Sequence, residues 1–143
     1  SFEFPSDYKF VLASLALIPA FNTYLGFTVI KAREAANVEL PLLFASEADA
    51  AANPIKHQFN CTQKSAMNFQ EHMPSFAIGA IVSGVAFPRA TAAAVVIWLF
   101  GRFLYHRGYS TGDPKKRGRG IHGSLTHFAV SIGALYSAYT LLF

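Results

Sequence analysis

Long apolar segments alternate with short charged ones along the chain, and this alternation predicts helices that cross a membrane. Residues 10–30 contain no Asp, Glu, Lys or Arg, and about 20 apolar residues are enough to cross the hydrocarbon core of a bilayer. Segments 57–87, 90–110 and 121–143 complete four predicted spans. The sequence therefore predicts an all-α, integral membrane four-helix bundle without strands, forming a single domain over residues 1–143.

A polar stripe interrupts the second span. At 3.6 residues per turn, one helical face collects six polar positions: His57, Cys61, Lys64, Asn68, Glu71 and Ser75. The uncharged segment 75–87 follows directly, and a charge so close to hydrocarbon costs on the order of a few kcal/mol unless it is paired or faces a wet cavity. The stripe predicts an inward-facing polar site, with a Lys64–Glu71 ion pair that merely braces the fold as the alternative.

The third span carries a second polar group. Arg102, Tyr105 and Tyr109 follow one another at positions i, i+3 and i+7 and share a helical face, although interfacial tyrosines are common in membrane proteins. Arg33, at the end of the first span, is expected either to lie in the interface or to reach over the mouth of a pocket. Residues 110–120 are expected to form a loop that is either a turn with a basic cytosolic run or a segment that holds a guanidinium over whatever the tyrosines line.

Composition and charge agree with a membrane protein and add its orientation. The chain is 52% hydrophobic and 14% charged, with a formal net charge of +4. The basic residues concentrate between the first and second spans and between the third and fourth. The positive-inside rule therefore predicts that loops 1 and 3 are cytosolic and that both termini lie on the opposite side. The basic balance is a signal of topology rather than of nucleic-acid binding.

The single cysteine and the histidines carry no strong signal. Cys61 cannot form an intrachain disulfide and is expected to be a small buried residue rather than a nucleophile. No Cys/His group has metal-ligand spacing, so no metal is expected. His106 and His127 are predicted to be structural.

Two local features concern the first half of the chain. Pro19 can kink the first span. The Ala-rich segment 45–52 is predicted to be a loop that is closed by Asn53 and Pro54.

Several motifs, taken in order, carry a resemblance. They are Asp7–Leu12, Lys31–Arg33, Val38–Pro41, Phe59–Gln63, Asn68 with Glu71 and Pro74, Gly101–Tyr105, Gly108–Pro114 and Lys116–Gly120. In this order and on these spans, the sequence resembles the family of membrane-associated proteins in eicosanoid and glutathione metabolism. The resemblance implies a trimer of four-helix subunits with glutathione bound between neighbouring subunits near the cytosolic face.

The resemblance also implies residue roles. It assigns glutathione binding to Arg33, Lys64, Asn68, Glu71, Arg102, Tyr105 and Tyr109, and thiol activation to Arg117. This chain has Lys64 where the family commonly has arginine, and the additional Gly-Asp-Pro segment makes Lys116 a competitor of Arg117. Arg117 is favoured because a guanidinium keeps its charge when partly dehydrated.

The implied activity is that of a membrane-bound glutathione transferase and peroxidase acting on a lipophilic electrophile or a lipid hydroperoxide. The alternatives are a non-catalytic lipid-binding protein on the same scaffold and an accessory subunit of a larger membrane complex. The expected location is the endoplasmic reticulum, with mitochondrial membranes as the alternative.

Overall fold

The computed structural model describes residues 1–143, and every regular element in it is helical. In chain order the elements are α1 (Tyr8–Leu15), α2 (Leu17–Ala36), α3 (Glu47–Ala52), α4 (Pro54–Ala86), α5 (Pro88–Tyr109), a 3₁₀ helix (Pro114–Gly120) and α6 (Ile121–Leu142). The predicted all-helical architecture is confirmed, and α2, α4, α5 and α6 are its four long helices.

The first predicted span is divided into α1 and α2, with the break at Ala16. Pro19 lies just after the break and has no backbone N–H to donate to the carbonyl of Leu15, four residues earlier; its ring also crowds that carbonyl. The proline therefore interrupts the helix one turn before its own position.

The segment before the second span differs from the prediction. Ser46 accepts a hydrogen bond from the Asp49 N–H and caps α3, so much of the predicted loop 45–52 is a short helix. Asn53 accepts from the Ile55 N–H and caps α4, and Pro54 occupies its first turn, where a missing N–H costs nothing. The pair therefore begins α4, three residues before the predicted start.

Contacts between distant segments define the two ends of the bundle. At one end, the Tyr8 hydroxyl donates to the Ile81 carbonyl, and Arg89 pairs with Asp7 at 2.8 Å, which ties the N-terminal segment to the α4–α5 turn. At the other end, the Gln58 amide donates to the Ser110 carbonyl. The end of α5 therefore lies beside the beginning of α4.

An aromatic layer holds the helices together. Phe76 and Trp98 stack with ring centroids 3.8 Å apart, and Phe69 packs against Trp98 at 5.4 Å. The core cluster around them comprises Ile18, Leu25, Ala66, Phe69, Phe76, Ala80, Val95, Trp98, Leu99 and Val130. Residues of all four long helices contribute to it, so the packing positions the polar groups of α4 and α5 beside each other.

Two segments are long and apolar enough to cross a membrane on length and composition: Tyr8–Ala36 and Pro114–Leu142. Large apolar side chains, among them Phe27, Ile78, Phe100 and Leu135, are exposed on the outside of the bundle. An apolar exterior around polar groups is the arrangement expected of a chain embedded in lipid.

Candidate functional site

A polar cluster begins on α4. Lys64 Nζ lies 3.2 Å from Glu71 Oε1, and the Asn68 amide lies 3.4 Å from Glu71 Oε2. The three side chains are one or two turns apart on a continuous helix, which brings them to the same face. The carboxylate of Glu71 is the centre of this part of the cluster.

Arg102 extends the cluster from α4 to α5. Its Nη2 donates to Asn68 Oδ1 at 2.8 Å, and its guanidinium carbon lies 4.3 Å from the centroid of the Tyr105 ring. Arg102 is only 7% exposed, its Nε has no hydrogen-bond partner, and no carboxylate lies within ion-pair distance of it. A buried guanidinium without a counter-charge is costly, so this position is suited to an anionic ligand.

The 3₁₀ helix brings a further cation to the tyrosines. The Tyr105 and Tyr109 ring centroids are 5.8 Å apart, and the Arg117 guanidinium carbon lies 5.8 Å from the Tyr109 ring centroid. Arg117 Nη1 also donates to the Pro114 carbonyl at 3.1 Å. A continuous series of contacts therefore joins seven of the predicted site residues: Lys64, Glu71, Asn68, Arg102, Tyr105, Tyr109 and Arg117.

Two glycines on which sequence reasoning placed no functional weight hold the 3₁₀ helix against α5. A Cβ atom on Gly108 would collide with the Lys116 carbonyl, and one on Gly120 would collide with the Gly101 carbonyl. The backbone of the 3₁₀ helix can therefore approach α5 closely enough to bring Arg117 over Tyr109. The signal that could have identified these positions is the spacing of glycines on both sides of the basic segment.

The length of α4 indicates the depth of the cluster. Its 33 residues correspond to about 50 Å, longer than a hydrocarbon core of about 30 Å. If the α4–α5 turn lies at one surface, about 20 residues of α4 cross the core, which leaves Lys64 just outside the opposite boundary. Glu71 then lies about one turn inside it, at the level of Arg102. With that placement, the charges would lie near the headgroup region, where they cost least.

Arg33 does not join the cluster within one chain. Its Nη1 donates to the Leu42 carbonyl at 2.6 Å and to the Val38 carbonyl at 3.3 Å, and its guanidinium carbon lies 4.9 Å from the Phe59 ring centroid. These contacts hold the segment after α2 against α4. The structure therefore separates Arg33 from the seven other predicted residues.

The predicted polar stripe of α4 does not face a single site. His57 Nε2 lies 2.8 Å from the Gly112 carbonyl oxygen, the buried Cys61 Sγ lies 3.6 Å from the same ring nitrogen, and Ser75 Oγ lies 3.3 Å from His127 Nε2. Because α4 passes different neighbours along its length, one helical face meets the α5 loop, then Arg102, then α6. Only the middle of the stripe belongs to the cluster.

A separate polar network lies between α2, α4 and α5. His106 Nδ1 is 2.9 Å from Ser65 Oγ, and its Nε2 is 2.8 Å from Thr28 Oγ1, so both ring nitrogens are engaged inside the protein. A cleft of about 340 Å³ beside it includes Gln58 and Arg107 in its wall. These contacts give His106 a packing role. No three His, Cys, Asp or Glu side chains are grouped as metal ligands.

The Lys64–Glu71 pair of the bracing interpretation is present, and its side chains are 46% and 51% exposed. The pair leaves both charges accessible to a ligand.

Comparison with known families gives a match over most of the chain. The sequence model of the MAPEG family matches residues 11–139 of the 143-residue chain. The matched residues include all the helices that carry the cluster, and they extend beyond the cluster toward both ends of the chain.

Proposed function

Since the chain belongs to the MAPEG family, whose members are integral to membranes and use glutathione, we propose that it is a membrane-bound glutathione transferase and peroxidase. The family includes glutathione transferases and related membrane proteins. We place this chain with its microsomal glutathione transferases. The proposed reaction is activation of the glutathione thiolate for attack on a lipophilic electrophile or for reduction of a lipid hydroperoxide.

The buried guanidinium of Arg102, which forms no ion pair in the structure, carries this proposal. Glutathione has two carboxylates, one ammonium group and one thiol, so its site needs several cations and a single acid. Lys64, Arg102 and Arg117 with Glu71 form such a set within one series of contacts. A carboxylate of glutathione would supply the ion-pair partner that Arg102 lacks.

The proposed roles follow from charge and position. Glu71 binds the ammonium group, and Lys64 and Arg102 bind carboxylates. Asn68 lies between them and can accept from or donate to the peptide groups of glutathione. Tyr105 and Tyr109 form the wall between Arg102 and Arg117, which leaves Arg117 for the thiol.

Thiol activation is an electrostatic effect of Arg117. An unperturbed thiol has a pKa of about 8.5 and is mostly protonated at neutral pH. A guanidinium beside the sulfur favours the thiolate, and a pKa lower by about two units corresponds to about 2.7 kcal/mol. The thiolate then attacks an acceptor that enters from the bilayer.

The remaining assignments concern the assembly. We propose a homotrimer with the cluster at the subunit boundary, in which Arg33 acts on the site of a neighbouring subunit. Loops 1 and 3 face the cytosol, and the membrane is that of the endoplasmic reticulum, with the mitochondrial membrane as the alternative.

The experiment that tests the proposal compares Arg117→Ala with Lys116→Ala in detergent-purified protein. Arg117→Ala should abolish the ultraviolet thiolate signal that glutathione produces and lower turnover by one to several powers of ten, each equivalent to about 1.4 kcal/mol. Glutathione should still bind, measured by calorimetry, because Asn68, Glu71 and Arg102 are intact. Lys116→Ala is the matched control and should keep both the thiolate signal and turnover.

Two results would contradict this proposal. Equal turnover of the wild type and Arg117→Ala would remove Arg117 from the mechanism. A wild-type protein that binds lipid but has no turnover with any of several lipophilic electrophiles would instead support the lipid-binding or accessory-subunit function.

A further inference from the structure

A groove of about 350 Å³ lies between α4, α5 and α6, next to the cluster, with which it shares Arg102. Its wall includes His72 of α4, Trp98 and Arg102 of α5, and Ser124, His127 and Ser131 of α6. The three α6 residues are spaced over seven positions on one helical face, so the groove follows α6 for about 10 Å.

The polar side chains of this groove include Arg102, two histidines and two serines, of which Ser131 Oγ already donates to the His127 carbonyl, and its lining contains no acid. The His72 and His127 ring centroids are 5.9 Å apart at a nearly perpendicular angle. His127 Nε2 faces Ser75 Oγ at 3.3 Å; if Ser75 donates, the neutral ring carries its proton on Nδ1 and keeps a free donor. Such a lining favours an electron-rich oxygen atom in the ligand.

The groove is placed between the thiol-activating segment and the apolar part of the molecule. Because α6 begins directly after the 3₁₀ helix that contains Arg117, Ser124 lies about one turn and His127 about two turns beyond that segment. The Trp98 side of the groove is continuous with the aromatic layer, through the T-shaped contact of His127 with Phe76 at 5.4 Å. Arg102 forms part of the groove wall and also bonds Asn68 in the cluster.

We propose that this groove binds the peroxide group of a lipid hydroperoxide and that His127, assisted by His72, donates a hydrogen bond to the oxygen that leaves. The inference rests on the proposed function and specifies the acceptor for the same site. A polar pair of histidines is costly in an apolar span, and a ligand oxygen at this position would accept the hydrogen bond that His127 Nδ1 can donate when Ser75 Oγ donates to Nε2.

The chemical step balances with glutathione as the reductant. The thiolate attacks the distal peroxide oxygen, so a sulfur–oxygen bond forms and the oxygen–oxygen bond breaks. The alkoxide that leaves takes a proton from water. The hydroxide that remains is neutralised by the proton that the thiol released. Sulfur is oxidised by two electrons, the peroxide is reduced by two, and a second glutathione converts the sulfenic acid to glutathione disulfide and water. Donors at the alkoxide oxygen stabilise its developing charge.

The test compares two acceptors in detergent-purified protein: a fatty-acid hydroperoxide and an aryl halide without a peroxide group. His127→Leu should lower kcat/KM for the hydroperoxide by about 10²-fold, the effect of removing one such donor. Conjugation of the aryl halide and the glutathione thiolate signal should stay within about twofold of wild type, because neither uses this donor. His127→Gln, whose amide can donate, should restore a large part of the hydroperoxide activity.

His122→Leu is the matched control. His122 is on the same helix, but its ring lies against Phe100 at 5.9 Å and is not part of the groove. This variant should change neither activity. The methyl ester of the hydroperoxide is the second control, and the effect of His127→Leu should be the same on it as on the free acid.

Three results would overturn the inference. They are an unchanged ratio of the two activities in His127→Leu, an equal loss of both, and an effect that disappears with the methyl ester, which would show that the groove binds the carboxylate. If one of these results is found with His127→Leu and the wild type conjugates the aryl halide, the proposed function still stands. A wild type without either activity would overturn both proposals together.

Discussion

Glu71 is the residue whose role is most sharply defined by its neighbours. It is the only acid in the series of contacts that joins α4, α5 and the 3₁₀ helix, and its two oxygens face Lys64 and Asn68. In the bracing interpretation, the only role of the Glu71 carboxylate is to pair with Lys64. In a glutathione site, the negative charge of Glu71 also binds the ammonium group of the ligand. The two interpretations therefore predict different consequences when the charge is removed.

Glu71→Gln should weaken glutathione binding by about tenfold or more, since a hydrogen bond to a charged group contributes about 1.5–3 kcal/mol. The amide keeps the size of the side chain and one acceptor oxygen, so assembly in detergent should be unchanged. Calorimetric titration measures the binding, and thermal unfolding in detergent measures the stability. A variant that dissociates or unfolds without a separable binding defect would favour the bracing interpretation. Glu47→Gln, on the exposed surface of α3, is the matched control.

Single residues also show what the sequence could and could not predict. Lys64, Asn68 and Glu71 were placed on a common face by helical spacing alone, because a continuous helix has a rigid period. Arg33 contacts the carbonyls of Val38 and Leu42 instead. Those carbonyls belong to a non-helical segment whose path has no period, so no pattern in the sequence indicates where they point.

At the scale of elements, the long helices were easier to predict than the segments that join them. An uncharged run gave the approximate bounds of α6. The bounds of α4 came from the polar stripe joined to the uncharged segment 75–87, those of α5 from an apolar run extended through Arg102, and Pro19 accounts for the division of α1 from α2. The prediction of a loop at 45–52 was wrong because it gave more weight to composition than to the Ser46 cap with an acidic first turn. The basic segment was expected to be a loop and is a 3₁₀ helix, since its close packing on α5 depends on tertiary contacts.

The seating of the 3₁₀ helix on α5 leads to a prediction at this scale. Gly108→Ala places a methyl group against the Lys116 carbonyl. The 3₁₀ helix should therefore move away from α5, and the distance between Arg117 and the Tyr109 ring should increase. Alanine is about 1 kcal/mol better than glycine inside a helix, and α5 itself should therefore not be weakened. We expect a reduced thiolate signal with nearly unchanged glutathione binding, measured by ultraviolet absorbance and calorimetry on the same sample.

Gly118→Ala is the control for this change. Gly118 lies in the same 3₁₀ helix, and a Cβ atom there would have no neighbour within 4 Å. Its thiolate signal should equal that of the wild type. Equal signals in the Gly108 and Gly118 variants would show that the position of Arg117 does not depend on this contact.

At the scale of the whole molecule, the two ends of the bundle differ in charge. The cluster, Arg33 and the 3₁₀ helix with its basic residues all belong to the end where α2 and α5 finish and α4 begins. The opposite end, where the N-terminal segment meets the α4–α5 turn, has the Arg89–Asp7 pair. The prediction that loops 1 and 3 are cytosolic depends on this asymmetry. Under the proposed function, that orientation would put the site where a water-soluble co-substrate can reach it while the acceptor stays in lipid.

The separation of Arg33 from the cluster leads to the last prediction, which concerns the assembly. In a ring of three subunits, each boundary joins one surface of a subunit to a different surface of the next. If Arg33 acts across that boundary, Arg33→Ala and Arg117→Ala should each be impaired alone, and coexpression of the two variants should restore activity. Random assortment would leave about a quarter of the boundaries with both arginines intact, so turnover should recover to about a quarter of the wild-type value.

Coexpression of Arg33→Ala with the double variant Arg33→Ala/Arg117→Ala forms no intact boundary and should restore nothing. If Arg33 and Arg117 act within one subunit, no mixture contains an intact site, and the absence of recovery would exclude the shared site. Full activity of Arg33→Ala alone would instead limit Arg33 to its contacts with the carbonyls after α2.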